Sequence, residues 1–140
     1  MSKRNKIAVI GYPSVGKSTI TYRMEASPLF KNHSVFHMDK IHYKTFGDLV
    51  TKGIADLIRM LHGKRKWIIE GVQCFWFLRK VAMNYENDLF PDLILNVSKR
   101  KYNPEPRHER FIKTINTIWK QFDEICERDS LKFEFLNYRR

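Results

Sequence analysis

Cysteine is scarce in this chain: Cys74 and Cys126 are the only two, 52 positions apart. That is too few for the disulfide framework of a secreted module and supplies no paired zinc ligands, so a reducing, cytoplasmic setting is the expectation. Long apolar runs are missing as well. A basic start leads into Ile7-Ala8-Val9-Ile10, which stops at Gly11, shorter than a signal-peptide core and far short of a membrane span. Export, anchoring and a membrane partner are therefore not expected. With only 5 prolines and 6 glycines, linkers and low-complexity tracts are absent. No internal repeat is visible, and 140 residues read as one domain spanning 1–140. Acidic residues are also in short supply, since 15 Asp and Glu face 26 Lys and Arg for a formal charge of +11. A domain this basic tends to meet polyanions such as nucleic acid. What is plentiful is core material: 43% of residues are hydrophobic and 14% aromatic, enough to exclude global disorder.

The apolar run Lys6 to Ile10 reads as a buried strand stopped by a glycine turn. A helix is expected from Lys17 to about Glu25, and a second strand over Ser34 to Met38. From Phe46 to Leu61 the apolar positions step by three and one, the stripe of an amphipathic helix. Trp67-Ile68-Ile69 then forms a third strand, ending at Glu70 and Gly71. A helix from Phe75 to about Tyr85 and a strand from Leu93 to Val97 follow. The segment Ser98 to Arg110 reads as a basic loop, a short lid around 99–110. Phe111, Ile115, Ile118, Phe122 and Ile125 mark a long helix from Arg107 to about Arg128. Alternation in Leu131 to Leu136 predicts a last strand, leaving Asn137 to Arg140 as a basic tail. Strands alternating with helices imply an α/β fold: a parallel sheet of about five strands flanked by helices.

The stretch Gly11-Tyr12-Pro13-Ser14-Val15-Gly16-Lys17-Ser18-Thr19 fits G-x-x-x-x-G-K-[ST] at every fixed position. At average residue usage the pattern arises by chance about once in a few hundred chains of this length, and its place between a strand and a helix is the context its mechanism requires. Gly11 and Gly16 let backbone N–H groups curl around phosphate oxygens. Ser14, Val15, Gly16, Lys17, Ser18 and Thr19 are expected to contact the polyphosphate of a nucleoside triphosphate, taken as ATP. Lys17 meets the β- and γ-phosphates, and Ser18 offers its hydroxyl to Mg²⁺.

Asp39 follows the second strand, and carboxyl ends of parallel strands line the ligand crevice, so it is a candidate base for a substrate hydroxyl. The competing reading is a turn cap. Glu70 ends the third strand as a candidate Mg²⁺ partner, and the two roles are exchangeable on sequence grounds. Arg100, Arg107 and Arg110 lie in the lid segment, where mobile cations neutralise a transferred phosphoryl group; a solvated basic loop is the alternative. The five histidines show no productive zinc spacing. Tyr43, Phe75, Trp76 and Phe77 are candidates to stack on a base, with core packing as their commoner use.

Together GYPSVGKST, FHMDKIHY, WIIEG and the basic stretch before the long helix resemble the small adenylate-kinase-like P-loop kinases, nearest to the compact DNA-topology modulation proteins. The resemblance covers nearly the whole chain. It implies a P-loop kinase fold, places Asp39 and Glu70 at the reacting hydroxyl and metal, and puts Arg100, Arg107 and Arg110 in the lid. The chain departs from the pattern in having Glu70 where Asp is common and in a short, Lys-rich lid. EGVQ and the positive charge also resemble the P-loop kinases of tailed phages that phosphorylate hydroxymethylated pyrimidines within DNA, which would set the protein in a phage-infected cell. Lys64, Arg65, Lys66, Lys99, Lys101, Arg139 and Arg140 are candidates for a DNA-binding face.

The expectation that results is an ATP- and Mg²⁺-dependent kinase that moves the γ-phosphoryl group to a nucleic-acid hydroxyl, such as that of 5-hydroxymethyluracil in DNA. Two alternatives stand beside it. One is a kinase of a free nucleoside, nucleoside monophosphate or small metabolite; the other is a nucleotide-gated DNA-binding protein.

Overall fold

The structure is a computed structural model and describes residues 4–84 and 87–140. Five strands are described: β1 (Lys6–Ile10), β2 (Ser34–His37), β3 (Trp67–Glu70), β4 (Leu93–Ser98) and β5 (Glu134–Arg139). Between them run α1 (Lys17–Ala26), α2 (Phe46–Leu61), α3 (Gln73–Asn84) and α4 (Glu109–Arg128). The strands form one all-parallel sheet in the order β2-β3-β1-β4-β5. β1 is therefore central, and the chain leaves it toward β2 on one side and returns to β4 on the other. Ligand crevices of open α/β sheets form at such a reversal, beyond the carboxyl end of the central strand.

Side-chain alternation sends β1 residues to opposite faces. Ala8 and Ile10 join Trp67, Ile69 and Ile94 beneath α2, α3 and α4, in a core that holds Leu57, Phe77 and Phe122. Ile7 and Val9 join Ile68, Leu93 and Val97 on the other face, covered by Val15 and Ile20. β1 and β3 are buried on both faces, which is why they read as uninterrupted Ile/Val runs rather than as alternating strands. The helix α2 begins where the Thr45 hydroxyl accepts a hydrogen bond from the Asp48 N–H at 3.0 Å, an N-cap worth ~1 kcal/mol.

Five expected boundaries shift, the smallest at β4, which takes in Ser98 through its pairing with Arg139. Met38 leaves the strand and opens a short 3-10 turn, Met38–Lys40. α3 starts at Gln73, because the Cys74 and Phe75 N–H groups bond to Gly71 and Val72 carbonyls; Tyr85, the expected end of this helix, lies outside the described residues. Arg107 and His108 belong to a 3-10 turn ahead of α4. The largest correction is β5, which runs from Glu134 to Arg139 rather than from Leu131 to Leu136. A turn at Asp129 and Ser130, with Ser130 at φ 53°, ends α4. Leu131 and Phe133 then pack on the core on the way back to the sheet. Pairing begins where β4 begins, with the Glu134 N–H donating to the Asp92 carbonyl at 2.9 Å. Asn137 to Arg139 are thus strand, not tail.

Among the described residues no helix is long and apolar enough to cross a membrane.

Candidate functional site

The parallel register brings three strand ends together. Glu70 stands opposite Val9 of β1 and opposite His37 of β2, so the turns after β1, β2 and β3 converge on one edge of the sheet. The turn after β1 is the glycine-framed loop. Gly16 has φ 98° and Ser14 φ 65°, left-handed positions that rotate successive N–H groups toward one point, as an anion-binding nest does. α1 starts directly behind Gly16, adding the positive end of its dipole.

Lys17 is 3% exposed. Its ammonium donates to the Tyr12 carbonyl at 2.7 Å, so it lies inside the curl of the loop. Burial pulls its pKa below the ordinary lysine value, and the charges of Asp39 and Glu70 oppose that pull. Ser18 Oγ donates to Glu70 Oε1 at 2.9 Å. Glu70 is fully buried, and its second oxygen, Oε2, has no hydrogen-bond partner among the described residues. A buried carboxylate oxygen without a donor is costly, so this position calls for a positively charged or hydrogen-bonding guest. Asp39 sits in the turn after β2, exposed toward the cleft, with Oδ1 accepting the Val72 N–H at 3.3 Å.

The loop opens on a cleft of about 860 Å³ lined by Ser14, Val15, Gly16, Lys17 and Ser18, by Arg23 of α1, by Asp39, and by Lys99, Arg100, Lys101, Tyr138 and Arg140 from the ends of β4 and β5. Six of its lining residues are cationic and one is a carboxylate. The segment after β4 is clasped to the loop: the Tyr102 ring stacks on Tyr12 at 5.6 Å, and its hydroxyl donates to the Pro13 carbonyl at 2.8 Å.

The structure thus brings Ser14, Val15, Gly16, Lys17, Ser18, Asp39 and Arg100 together around one cleft, while the buried Glu70 does not line it and reaches it only through its bond with Ser18. Gly11 lies beneath the loop, and exposed Thr19 is not among the lining residues. Arg107 is engaged with Glu105 at 2.6 Å, and neither it nor Arg110 lines the cleft. Phe75, Trp76 and Phe77 are core residues, while the Tyr43 hydroxyl donates to Asp56. The candidate polymer-binding cations are split between two edges. Lys64, Arg65 and Lys66 precede β3, opposite the edge reached by Lys99, Lys101 and Arg140.

Five residues take places at the site that the sequence reading does not assign to them. His37 Nδ1 meets Glu70 Oε1 at 3.2 Å, its Nε2 meets Glu25 at 3.3 Å, and the Tyr22 ring stacks on it at 4.3 Å. Gln73 is fully buried, donates to the Met38 carbonyl at 3.2 Å and leaves its own oxygen unpartnered. A Cβ on Gly71 would stand 2.6 Å from that oxygen and 3.1 Å from Asp39 Oδ1, so glycine lets the two approach one point. Arg23 and Arg140 complete the set. The signal for His37 is its register opposite Glu70, which requires knowing that β2 lies beside β3. For Arg140 it is the alternation of β5, hidden by the misplaced strand. Against models of known protein families and against curated proteins the chain finds no match.

Proposed function

We propose that the chain is an ATP-dependent phosphotransferase of the P-loop kinase fold, which moves the γ-phosphoryl group to an alcohol on a nucleic acid. The observation that carries this reading is the glycine-framed loop with Lys17 buried in its curl and Ser18 paired to the buried Glu70. The central position of the strand feeding that loop, in the order β2-β3-β1-β4-β5, supports it.

In this reading the loop N–H groups and Lys17 hold the polyphosphate, Lys17 exchanging the Tyr12 carbonyl for a phosphate oxygen. Ser18 Oγ and Glu70 fit Mg²⁺: both are hard oxygen donors, and Glu70 Oε2 is free to take a ligand. Mg²⁺ bound there supplies charge neutralisation of the β- and γ-phosphates. Asp39 faces the cleft from the neighbouring strand end and accepts the proton of the attacking hydroxyl. The acceptor oxygen bonds to the γ-phosphorus as the bond to the β–γ bridging oxygen breaks. ADP leaves, and the proton passes from Asp39 to water. Arg100, with the other cations of the cleft, stabilises charge on the transferred group. The lining of six cations against one carboxylate, with a net charge of +11, favours a polyanionic acceptor, and 5-hydroxymethyluracil in DNA is the acceptor we favour.

The test is incubation with γ-labelled ATP and Mg²⁺ over a panel of plain and hydroxymethylated oligonucleotides, nucleosides and nucleoside monophosphates, with the product traced by mass. Label on a hydroxymethylated oligonucleotide is the expected result. Label confined to a free nucleoside or nucleotide moves the assignment to a small-molecule kinase. Binding of DNA and ATP with no transfer at all refutes the enzyme reading.

A further inference from the structure

We propose that Arg140 is a polyphosphate-contacting residue of the cleft, delivered to the glycine loop by the fifth strand. The inference rests on reading that loop as a polyphosphate site. Its first support is a packing contact: a Cβ on Gly16 would coincide with the Arg140 guanidinium, with Cζ 2.9 Å and Cδ 3.0 Å away. The guanidinium therefore lies close beside Gly16, in the stretch of backbone whose N–H groups form the nest. Only glycine at position 16 permits that approach.

The root of the side chain is fixed. The Arg140 N–H donates to the Ser98 carbonyl at 2.8 Å, and the Arg140 carbonyl accepts from the Arg100 N–H at 2.9 Å. Both peptide groups are thus held in a ladder that extends β4 and β5 by one step. Strand alternation explains which side chains reach the cleft. Tyr138 and Arg140 line it, two residues apart on one face, whereas Asn137 accepts a hydrogen bond from Asn96 at 3.0 Å on the other.

The donors of Arg140 are unspent. Arg4, Arg59, Arg107 and Arg128 each pair with a carboxylate, but among the described residues no carboxylate pairs with Arg140. A guanidinium carries five N–H donors in a planar fork matched to phosphate oxygens. A fork whose root is anchored beside the loop and whose charge no described carboxylate neutralises suits a dianionic or more highly charged ligand. The same ladder joins Arg140 to Arg100, so two cations reach the cleft from adjacent strand ends.

The experiment is calorimetric titration of the full chain with ATP and with inorganic tripolyphosphate, comparing the parent with Arg140→Ala, Arg140→Lys and Lys132→Ala. Arg140→Ala should weaken both ligands at least about tenfold, as expected for lost charge-assisted hydrogen bonds. Arg140→Lys should restore part of the loss, because it returns the charge without the fork. Lys132→Ala removes the same charge ahead of β5, at the far end of the strand, and should change affinity less than about twofold. Arg140 is exposed, so its variants should melt like the parent. Equal affinity of parent and Arg140→Ala for both ligands overturns the inference alone. A parent that binds neither overturns the loop reading, and this inference with it.

Discussion

Gly11→Ala and Gly16→Ala change the same motif by one methyl group each, yet the structure assigns them different consequences. A Cβ on Gly11 would stand 2.5 Å from the Val97 carbonyl oxygen and 2.9 Å from Val15 Cγ2. Val97 lies inside β4, which is paired with β1 on one side and β5 on the other, so its carbonyl has nowhere to go. Overpacking of this kind costs roughly 1–3 kcal/mol. For a chain of this size each kcal/mol lowers Tm by about 3–5 °C, which gives a fall of roughly 3–15 °C. Gly16→Ala meets instead the far end of a flexible arginine, which swings aside cheaply. Its stability cost is the left-handed backbone at φ 98°, about 1–2 kcal/mol for a residue with a Cβ. The new methyl group, however, occupies the mouth of the nest and displaces Arg140. ATP affinity should fall at least about tenfold, while the fold survives. Thermal melts by circular dichroism and calorimetric titration of ATP on both variants separate the two effects. A Gly11→Ala protein that melts with the parent, or a Gly16→Ala protein that binds ATP like the parent, refutes the reasoning.

Asp39→Asn should lower turnover by at least about 10²-fold while ATP affinity is kept; undiminished turnover moves the base role to Glu70 or elsewhere. Glu70→Gln removes a fully buried carboxylate but keeps its shape and one acceptor for Ser18, so the Mg²⁺-dependent part of ATP affinity should vanish with little change in Tm. An affinity that still responds to Mg²⁺ would exclude Glu70 as a metal ligand. Burial pushes the Cys126 thiol up to about 12. At pH 8 its thiolate fraction is then about 10⁻⁴, roughly a thousandfold below an ordinary thiol, and rapid labelling of Cys126 in the native protein by a disulfide-exchange reagent would contradict the burial. Because the folded chain keeps a proton that the unfolded chain releases near pH 9, stability from this group is complete below pH 9 and is lost as pH rises toward 12.

The parts of the fold that local periodicity specifies were legible. The stripe of α2 and the Ile/Val runs of β1 and β3 identify themselves, because one side of the helix and both faces of the strands must be apolar wherever the neighbours sit. β5 is different. Apolar and polar residues alternate from Leu131 to Phe135 and the phase then slips at the adjacent Phe135 and Leu136, so pattern alone does not say which six residues pair. That choice belongs to β4, whose first paired residue, Leu93, fixes Glu134 as the start. Pairing information of this kind is non-local, and the cost of missing it was functional: Arg139 and Arg140 read as a tail, and the guanidinium against Gly16 went unseen. His37 follows the same logic. In sequence it is one histidine in a short strand; only the β2–β3 register sets it across from Glu70.

The electrostatics of the site tie these residues into one unit. Burial draws the pKa of Lys17 below the ordinary lysine value, and the carboxylates of Asp39 and Glu70 oppose this. Glu70 in turn has only Ser18, His37 and the field of Lys17 to offset its burial, with one oxygen left over. Lys17 has a backbone carbonyl for its partner, and among the described residues Glu70 Oε2 has none. A purely structural arrangement would leave neither group short of partners, since an unfilled buried valence destabilises the fold without return. Here the two open valences, one cationic and one anionic, flank a loop whose N–H groups converge, and six cations surround the cleft. A ligand able to fill all three at once would be a polyanion carrying its own hard cation, and it is on this ground that we propose a magnesium-bound nucleoside triphosphate.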